Sequence, residues 1–465
     1  ELARQNASHE LVPISKCKGS KIRPGRSTFA WNLTIPAGPG YSYSHTPNIR
    51  FGDQQSDPHR RVQIQINYMD SLAARIPDVS SFAKELRAKE SLRTSLKDIA
   101  QQTLELYGKR LGFPVGPKAI DLKCFGGLRN GFSLPGADLE LVICKRLSTF
   151  PEGSEIGYLH TLEKAFLDAG LGARMMPGVT GPVITLRENP PKRLLSKLRS
   201  LCEERESRET QNEDPGFCSN SSKISERSLQ RGNSRQPSRS HGPKGVIIQC
   251  NADLSQTLSI HSTELLRCYA LCDERVRQVG VFVKMWAKAR GICNPHRGTM
   301  CSYGYILMVI HYLMDIAQPP LVPNLQSMSR QYPGLYSATT VNGCEVQYYS
   351  DERVLRSRAT YNAKRGNRQS VGDLLRGFFA YYGSSGRDAP LGGFDWIRNT
   401  VSIRTPGGTL PKRDKGWYTA KTDGNGNWTR YLLAVEDPFE YENNVAGTVT
   451  KAGVWAIRTE FCRAC

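Results

Sequence analysis

One segment constrains the fold more than any other: CFGGLRNGFSLPGADLELVI, Cys124 to Ile143. Gly126 and Gly127 stand directly before Leu128, where a tight turn into a helix leaves backbone N–H groups free to hold phosphate. Asp138 follows on the same segment and forms with Glu140 an acid-x-acid pair that opens an apolar run. Side chains two apart on a strand share a face, so both carboxylates address one site. Paired hard oxygen ligands of this kind present divalent cations to a bound triphosphate. A solvated strand start would show the same pair, and the segment by itself leaves both readings open.

The charge balance narrows the partner. The 465-residue chain carries a net charge of +20, a surplus that favours a polyanion such as nucleic acid or an acidic membrane face. No apolar stretch reaches the ~18 residues needed to span a bilayer; the longest, Tyr305 to Ile310, stops at His311. Thirteen cysteines, an odd number, are scattered through apolar runs rather than set at framework spacings. They read as free thiols of a reducing compartment, and the terminal Cys462 to Cys465 pair reads as a chance CxxC. The polar opening run ELARQN lacks a signal-peptide pattern, so a cytoplasmic or nuclear, non-secreted protein without membrane attachment is the expectation.

Along the chain, residues 1 to about 60 are rich in Pro, Gly, Ser and Arg and predict an extended arm. From Ser80, the spacing of Phe82, Leu86, Leu92, Leu96, Ile99, Leu104 and Tyr107 predicts amphipathic helix, with Ser80 or Ser81 as N-cap. Strand-like LELVICK and PVITL then flank a helical stretch near 158–169. Residues 191 to 244 turn polar and predict a disordered insertion, after which strand-like VIIQC at 246–250 resumes the sheet. Residues 262 to 318 are strongly helical, and a basic, Tyr-containing loop is expected at about 327 to 370.

The glycine turn, helix and acid-x-acid strand resemble the DNA polymerase beta-type nucleotidyltransferases. TLSIHSTELLRCYALCDERVRQVGVFVKMWAKARGI, GTMCSYGYILMVIHYL, SVGDLLRGFFAYY and YLLAVEDPFEYENNVAGTV narrow this to the terminal RNA nucleotidyltransferases, the template-independent poly(A)/poly(U) polymerases. The resemblance covers roughly 80 to 460, apart from the insertion. It implies an α+β fold: a polymerase beta-like catalytic domain joined to a mostly helical central and poly(A)-polymerase-associated domain. The divisions expected are an N-terminal arm at 1–79, poorly structured, and helices at 80–120 packing on the central domain. They continue with a catalytic domain at 121–260 holding the insertion 191–244, and the helical domain at 261–465.

The resemblance also implies roles. Asp138 and Glu140 would hold Mg²⁺ or Mn²⁺; Gly126 and Gly127 would form the nucleotide turn. Lys284 and Lys288 would reach the triphosphate, Ser302 would bond a phosphate, and Tyr303 would stack on the base. Lys284 and Lys288 are four apart and share a helix face, so two cations converge on one anion. Gln256, Ser262 and Thr263 fall where the family contacts ribose and base, and Asp437, Glu440 and Asn443 fall in its base-reading loop. Members that add uridine commonly carry His at the position of Asn443; Asn is shorter, leaves room for a purine and offers a donor and an acceptor. ATP is therefore the expected nucleotide ahead of UTP, and an RNA 3′ end the acceptor.

Three positions depart from the family pattern. The signature's Ser is Gly127, its second Asp is Glu140, and its third acid aligns with Asn251. An amide cannot deprotonate a 3′-hydroxyl. Asp253 shares the strand parity of Asn251 but would stand ~6.6 Å further along a regular strand. Two functions follow: RNA 3′-end nucleotide addition by two-metal transfer, with Asp138, Glu140 and one of Asn251 and Asp253 as the catalytic set, or a decayed site serving as an RNA-binding or scaffolding module.

Overall fold

The two-residue period of the strand that contains Glu140 decides which way the site faces. The computed structural model describes residues 58–145, 154–177, 181–211, 245–250, 258–332, 339–384, 392–419, 421–422 and 428–465. These belong to one unit, Ile49–Cys465, while the other unit, Glu1–Asn48, lies outside the described residues. A five-stranded sheet is formed by β1 (Ile120–Cys124), β2 (Leu139–Lys145), β3 (Arg174–Met176), β4 (Val183–Arg187) and β5 (Gly245–Gln249), in the order β1-β2-β5-β4-β3. Only β2 and β5 run parallel, with Glu140 opposite Ile247; the other pairs are antiparallel. On β2, Leu139, Leu141 and Ile143 enter a core that also takes Leu122, Ile184, Val246 and Ile248. The period of two then sends Glu140 to the other face.

The chain before and within this sheet forms four helices, α1 (Pro58–Ala73), α2 (Ala83–Leu111), the single turn α3 (Gly127–Asn130) and α4 (Glu155–Asp168), of which α1 packs away from the sheet. A fifth, α5 (Lys192–Gln211), follows β4. Leu96, Ala100, Leu104 and Tyr107 of α2 and Tyr158, Leu159, Leu162 and Phe166 of α4 cover the core face, each with 5% exposure or less. The sheet helix α2 therefore packs on the catalytic-type sheet, which corrects the expectation that residues 80–120 pack on the central domain. Its i, i+4 apolar spacing is satisfied by the nearest uncovered apolar surface, the sheet that follows it in sequence.

The second part is helical: α6 (Leu258–Cys272), α7 (Glu274–Ala289), α8 (Ser302–His311), α9 (Leu325–Gln331), α10 (Glu352–Lys364), α11 (Val371–Gly383) and α12 (Lys451–Ala464). Asp273 caps α7 by accepting from the backbone N–H of Arg275 at 3.1 Å. Trp286 of α7 is the centre of this core, its ring 4.9 Å from Phe379 and 5.0 Å from Phe461, edge-on in both cases. Among the described residues no helix is long and apolar enough to cross a membrane, and the described cysteines are free thiols.

Three further expectations are corrected. The arm through residue 79 is not unstructured at its end: α1 packs on α11, where the Asp70 carboxylate accepts from Ser370 Oγ at 2.7 Å and from the Gly372 N–H at 2.6 Å. The insertion 191–244 begins with the ordered α5, because Leu195, Leu198 and Cys202 pack against the sheet core and Lys164 pairs with Glu206 at 2.8 Å. Residues 212–244 lie outside the described residues. The basic stretch 327–370 is not one loop; α10 occupies its middle, started by Asp351, whose carboxylate accepts from the N–H of Arg353 at 2.9 Å.

Candidate active site

The site-facing side of β2, the turn at Gly126–Gly127 and three helices of the second part enclose a cavity of about 590 Å³. Gly126, Gly127, Asp138, Glu140, Ser262, Thr263, Lys284, Lys288, Ser302, Tyr303, Asp437 and Glu440 all line it. Sequence spacing of more than three hundred residues is thus folded into one wall.

Glycine is required at the turn. Gly126 has φ +70° and ψ −153°, and a Cβ there would run into the Glu140 carboxylate. Its N–H donates to Thr263 Oγ1 at 2.9 Å, and that hydroxyl in turn donates to the Ser259 carbonyl at 2.7 Å. Thr263 therefore ties α6 to the turn. At Gly127 a Cβ would stand 3.2 Å from Lys284 Nζ, so the absence of the family's Ser leaves Lys284 room to lie against the turn.

The two carboxylates differ in setting. Asp138 Oδ1 accepts from the Gly245 N–H at 3.0 Å, which fixes it at the mouth of β5. Burial pushes the Glu140 carboxyl above its ordinary value, against the pull of Lys284, of a hydrogen bond from the Gly127 backbone and of Lys288, while Asp138 adds to the rise. Opposite it, burial lowers the Lys284 ammonium, helped by neighbouring Lys288 and opposed by Glu140. Lys284 is 8% exposed and donates to the Phe132 carbonyl at 3.0 Å. Burial leads both shifts, so a cation arriving at Glu140 and an anion arriving at Lys284 would each supply the charge that desolvation withholds. Carboxylate oxygens are the donors hard divalent ions take, and Asp138 with Glu140 fit such an ion. Among the described residues no cluster of three or more His, Cys, Asp or Glu side chains gathers for a metal; Asn251 and Asp253, the two candidates for a third ligand, lie outside them.

At the far end, Tyr303 Oη donates to Asp437 Oδ2 at 3.2 Å and is hydrogen-bonded to Ser262. Asp437 also accepts from the N–H groups of Phe439 (2.9 Å) and Glu440 (3.1 Å), while burial pushes its carboxyl up. Asn443 does not line the cavity: it is exposed, and its Nδ2 donates to Glu440 Oε2 at 3.2 Å. Gln256 lies outside the described residues. Sequence reading missed Gln249 and Asn342, which also line the cavity. Gln249 was within reach, since it is separated by two from Ile247, the partner of Glu140. Asn342 sits with φ +50° beside Gly343 (φ +76°) at the tip of a hairpin, Thr340–Val341 against Cys344–Glu345, and the Asn-Gly pair is its signal.

This sheet, turn and acid pair define a polymerase beta-like nucleotidyltransferase fold. The family model described as Cid1 family poly A polymerase matches residues 370–443. The terminal uridylyltransferase Cid1 of Schizosaccharomyces pombe is 36% identical over 225 residues, 47% of this chain and 50% of that protein. The poly(A) RNA polymerase GLD2 of Xenopus tropicalis is 30% identical over 212 residues, 46% of this chain and 34% of that protein. The alignments thus span half or less of these curated relatives. A solved structure of Cid1, described for its RNA terminal uridylyl transferase activity, matches with a TM-score of 0.57 at 25% identity, covering 86% of this chain and 92% of that one. The chain carries a Cid1 family poly(A) polymerase domain and is homologous to the Cid1 and GLD2 terminal nucleotidyltransferases.

Proposed function

We propose that this chain adds ribonucleotides to RNA 3′ ends without a template, adenylate ahead of uridylate. The observation that carries this reading is the single cavity in which Asp138 and Glu140 face Lys284, Lys288, Ser302 and Tyr303. Relatives support it: Cid1 structures are described in complex with the short product ApU and with a UTP analogue.

In this reading Lys284 and Lys288 hold the triphosphate, with Lys284 leaving the Phe132 carbonyl for a phosphate oxygen, and Ser302 adds a hydroxyl donor. Tyr303 offers its ring to the base and is held in place by Asp437 and Ser262. Asp138 and Glu140 would ligate Mg²⁺ or Mn²⁺, which when bound stabilises the attacking and leaving oxygens of nucleotidyl transfer. Asp437 and Glu440 face the base edge from the cavity wall, and Asn443 acts on it through its hydrogen bond to Glu440. For adenylate, support comes from Asn443, whose side chain is shorter than the histidine of uridylate-adding members and offers a donor and an acceptor.

The test is incubation of the purified full chain with labelled RNA, each NTP singly, and Mg²⁺ or Mn²⁺. Extension with ATP above UTP, lost in Asp138→Ala, is expected. RNA bound but never extended, with any nucleotide and either metal, overturns the enzyme in favour of the binding module.

A further inference from the structure

Directly beneath the base-reading loop lies a buried carboxylate that takes no part in the cavity. Glu436 is 1% exposed. Its Oε1 pairs with Arg404 Nη2 at 3.0 Å and with Lys415 Nζ at 3.1 Å, and its Oε2 accepts from Ser402 Oγ at 2.7 Å. The two cations do more than neutralise it. Arg404 lays its guanidinium 4.2 Å from the centre of the Tyr441 ring, and the Lys415 ammonium donates to the Tyr441 carbonyl. Tyr441 stands between Glu440 and Asn443, so one ion cluster grips the loop from inside its own span.

The other end is fixed as tightly. Glu436 and Asn444 are bridge partners, and Asp437 N–H donates to the Asn443 carbonyl at 3.1 Å. The Asn444 side chain accepts from the N–H groups of Val435 (2.9 Å) and Ala446 (3.0 Å) and donates to the Leu433 carbonyl at 2.9 Å. Residues 437 to 443 are therefore a closed loop whose position is set by Glu436, Arg404 and Lys415 on one side and Asn444 on the other. Glu440, which lines the cavity, and Asn443, which donates to it, ride on the gripped segment.

We propose that Lys415 and Arg404, acting through Glu436 and Tyr441, are specificity-determining positioning residues: they hold the 437–443 loop at the depth that sets which nucleobase fits. None of these side chains lines the cavity, so their effect on the reaction passes through the loop. The inference rests on the reading of the cavity as a nucleoside triphosphate site.

The experiment is steady-state and single-turnover RNA extension with ATP and UTP by Lys415→Met, Lys415→Arg, Tyr441→Ala and Tyr441→Phe in the full chain. Lys415→Met leaves Glu436 paired with Arg404. It is expected to raise the KM for ATP about tenfold, to compress the ATP-to-UTP ratio, and to leave the single-turnover rate at saturation within about threefold of wild type. Lys415→Arg should restore the ratio. Tyr441→Ala should reproduce the loss and Tyr441→Phe, which keeps the ring under Arg404, should not; this pair decides the matter if Lys415→Met does not fold. Folded Lys415→Met and Tyr441→Ala variants with wild-type KM and nucleotide ratio overturn the inference alone, as does a fall in rate at unchanged KM and ratio. A wild-type chain that extends no RNA overturns the underlying reading as well.

Discussion

Glu140, in the cavity wall, and Glu436, behind the loop at the cavity's far end, are buried carboxylates held in opposite ways. At the end proposed for the triphosphate, Glu140 and Lys284 are fixed by neutral groups, the Gly127 N–H and the Phe132 carbonyl, and burial disfavours the charged form of each. Behind the proposed base end, Glu436 is held by two cations and a hydroxyl; Asp437, held by neutral donors and raised by burial, follows the pattern of Glu140. In the proposed reading, a pair poised for incoming ions keeps its desolvation penalty until the ligand arrives, whereas the carboxylate that positions the 437–443 loop is paired within the protein. The contrast implies that removing a carboxylate has opposite consequences for stability at the two ends.

The largest effect is expected at the base end. Glu436→Gln strips the counter-charge from Arg404 and Lys415, whose side chains are 23% and 11% exposed, and should lower the unfolding free energy by about 3 kcal/mol. Urea titration measures this; a loss within experimental error of zero would dissolve the contrast. Next comes Glu140→Gln, which keeps shape and removes the charge of a proposed metal ligand. RNA extension should fall by about 10² to 10³, with RNA affinity unchanged in a filter-binding assay.

Repair of the departures from the family pattern gives a smaller change. Asn251→Asp should raise single-turnover extension by more than Gly127→Ser, because an acid supplies both a metal ligand and a proton acceptor. The serine hydroxyl adds one hydrogen bond to phosphate, about 1.5 to 3 kcal/mol at most, and its Cβ would press on Lys284 Nζ at 3.2 Å. If Asp253 supplies the third acid, the order inverts: Asp253→Ala abolishes extension and Asn251→Asp does little. At the base end, Asn443→His should shift the ATP-to-UTP ratio toward UTP by about tenfold, read by competing both nucleotides at equal concentration. An unchanged ratio would remove Asn443 from base choice, as its exposed position outside the cavity wall already allows.

The triphosphate end was far more legible in sequence than the base end's support. Asp138 and Glu140 declare themselves by strand parity, and Lys284 and Lys288 by helical spacing, because both signals are local and periodic. Glu436, Arg404 and Lys415 give no such signal: their meeting depends on a hairpin, Asn399–Val401 against Thr409–Pro411, and a bridge from Val401 to Val435. The partner of α2 was misassigned for a related reason, since an amphipathic stripe states that a helix is covered but not by what. α1 gives no sequence signal because its mean composition is polar and its ordering comes from a few long-range contacts such as Asp70 with Ser370. Leu194, Leu195, Leu198 and Leu201 permit only a short helix where the longer α5 forms, anchored by Cys202 on the sheet core.

The smallest effect is a pH dependence, and it tests the triphosphate end directly. The Glu140 carboxyl is raised in the folded chain above the value of about 4.3 expected when unfolded. Between those two values the folded state binds more protons than the unfolded state, so unfolding free energy falls as pH rises through this window and stays lower above it. A displacement of one pH unit is worth about 1.36 kcal/mol. Glu140→Gln removes the ionisation and should melt higher than wild type at neutral pH, the difference closing as pH drops below about 4.3. Other raised carboxyls, Asp437 and Asp315, contribute equally to both proteins and cancel in the comparison. Mg²⁺ with ATP should reverse the sign, because the ligands then favour ionised Glu140 and stabilise only the wild type. A Glu140→Gln variant that melts below wild type at neutral pH without ligands would mean that Glu140 is paired as firmly as Glu436, and that the two ends of the cavity are built alike.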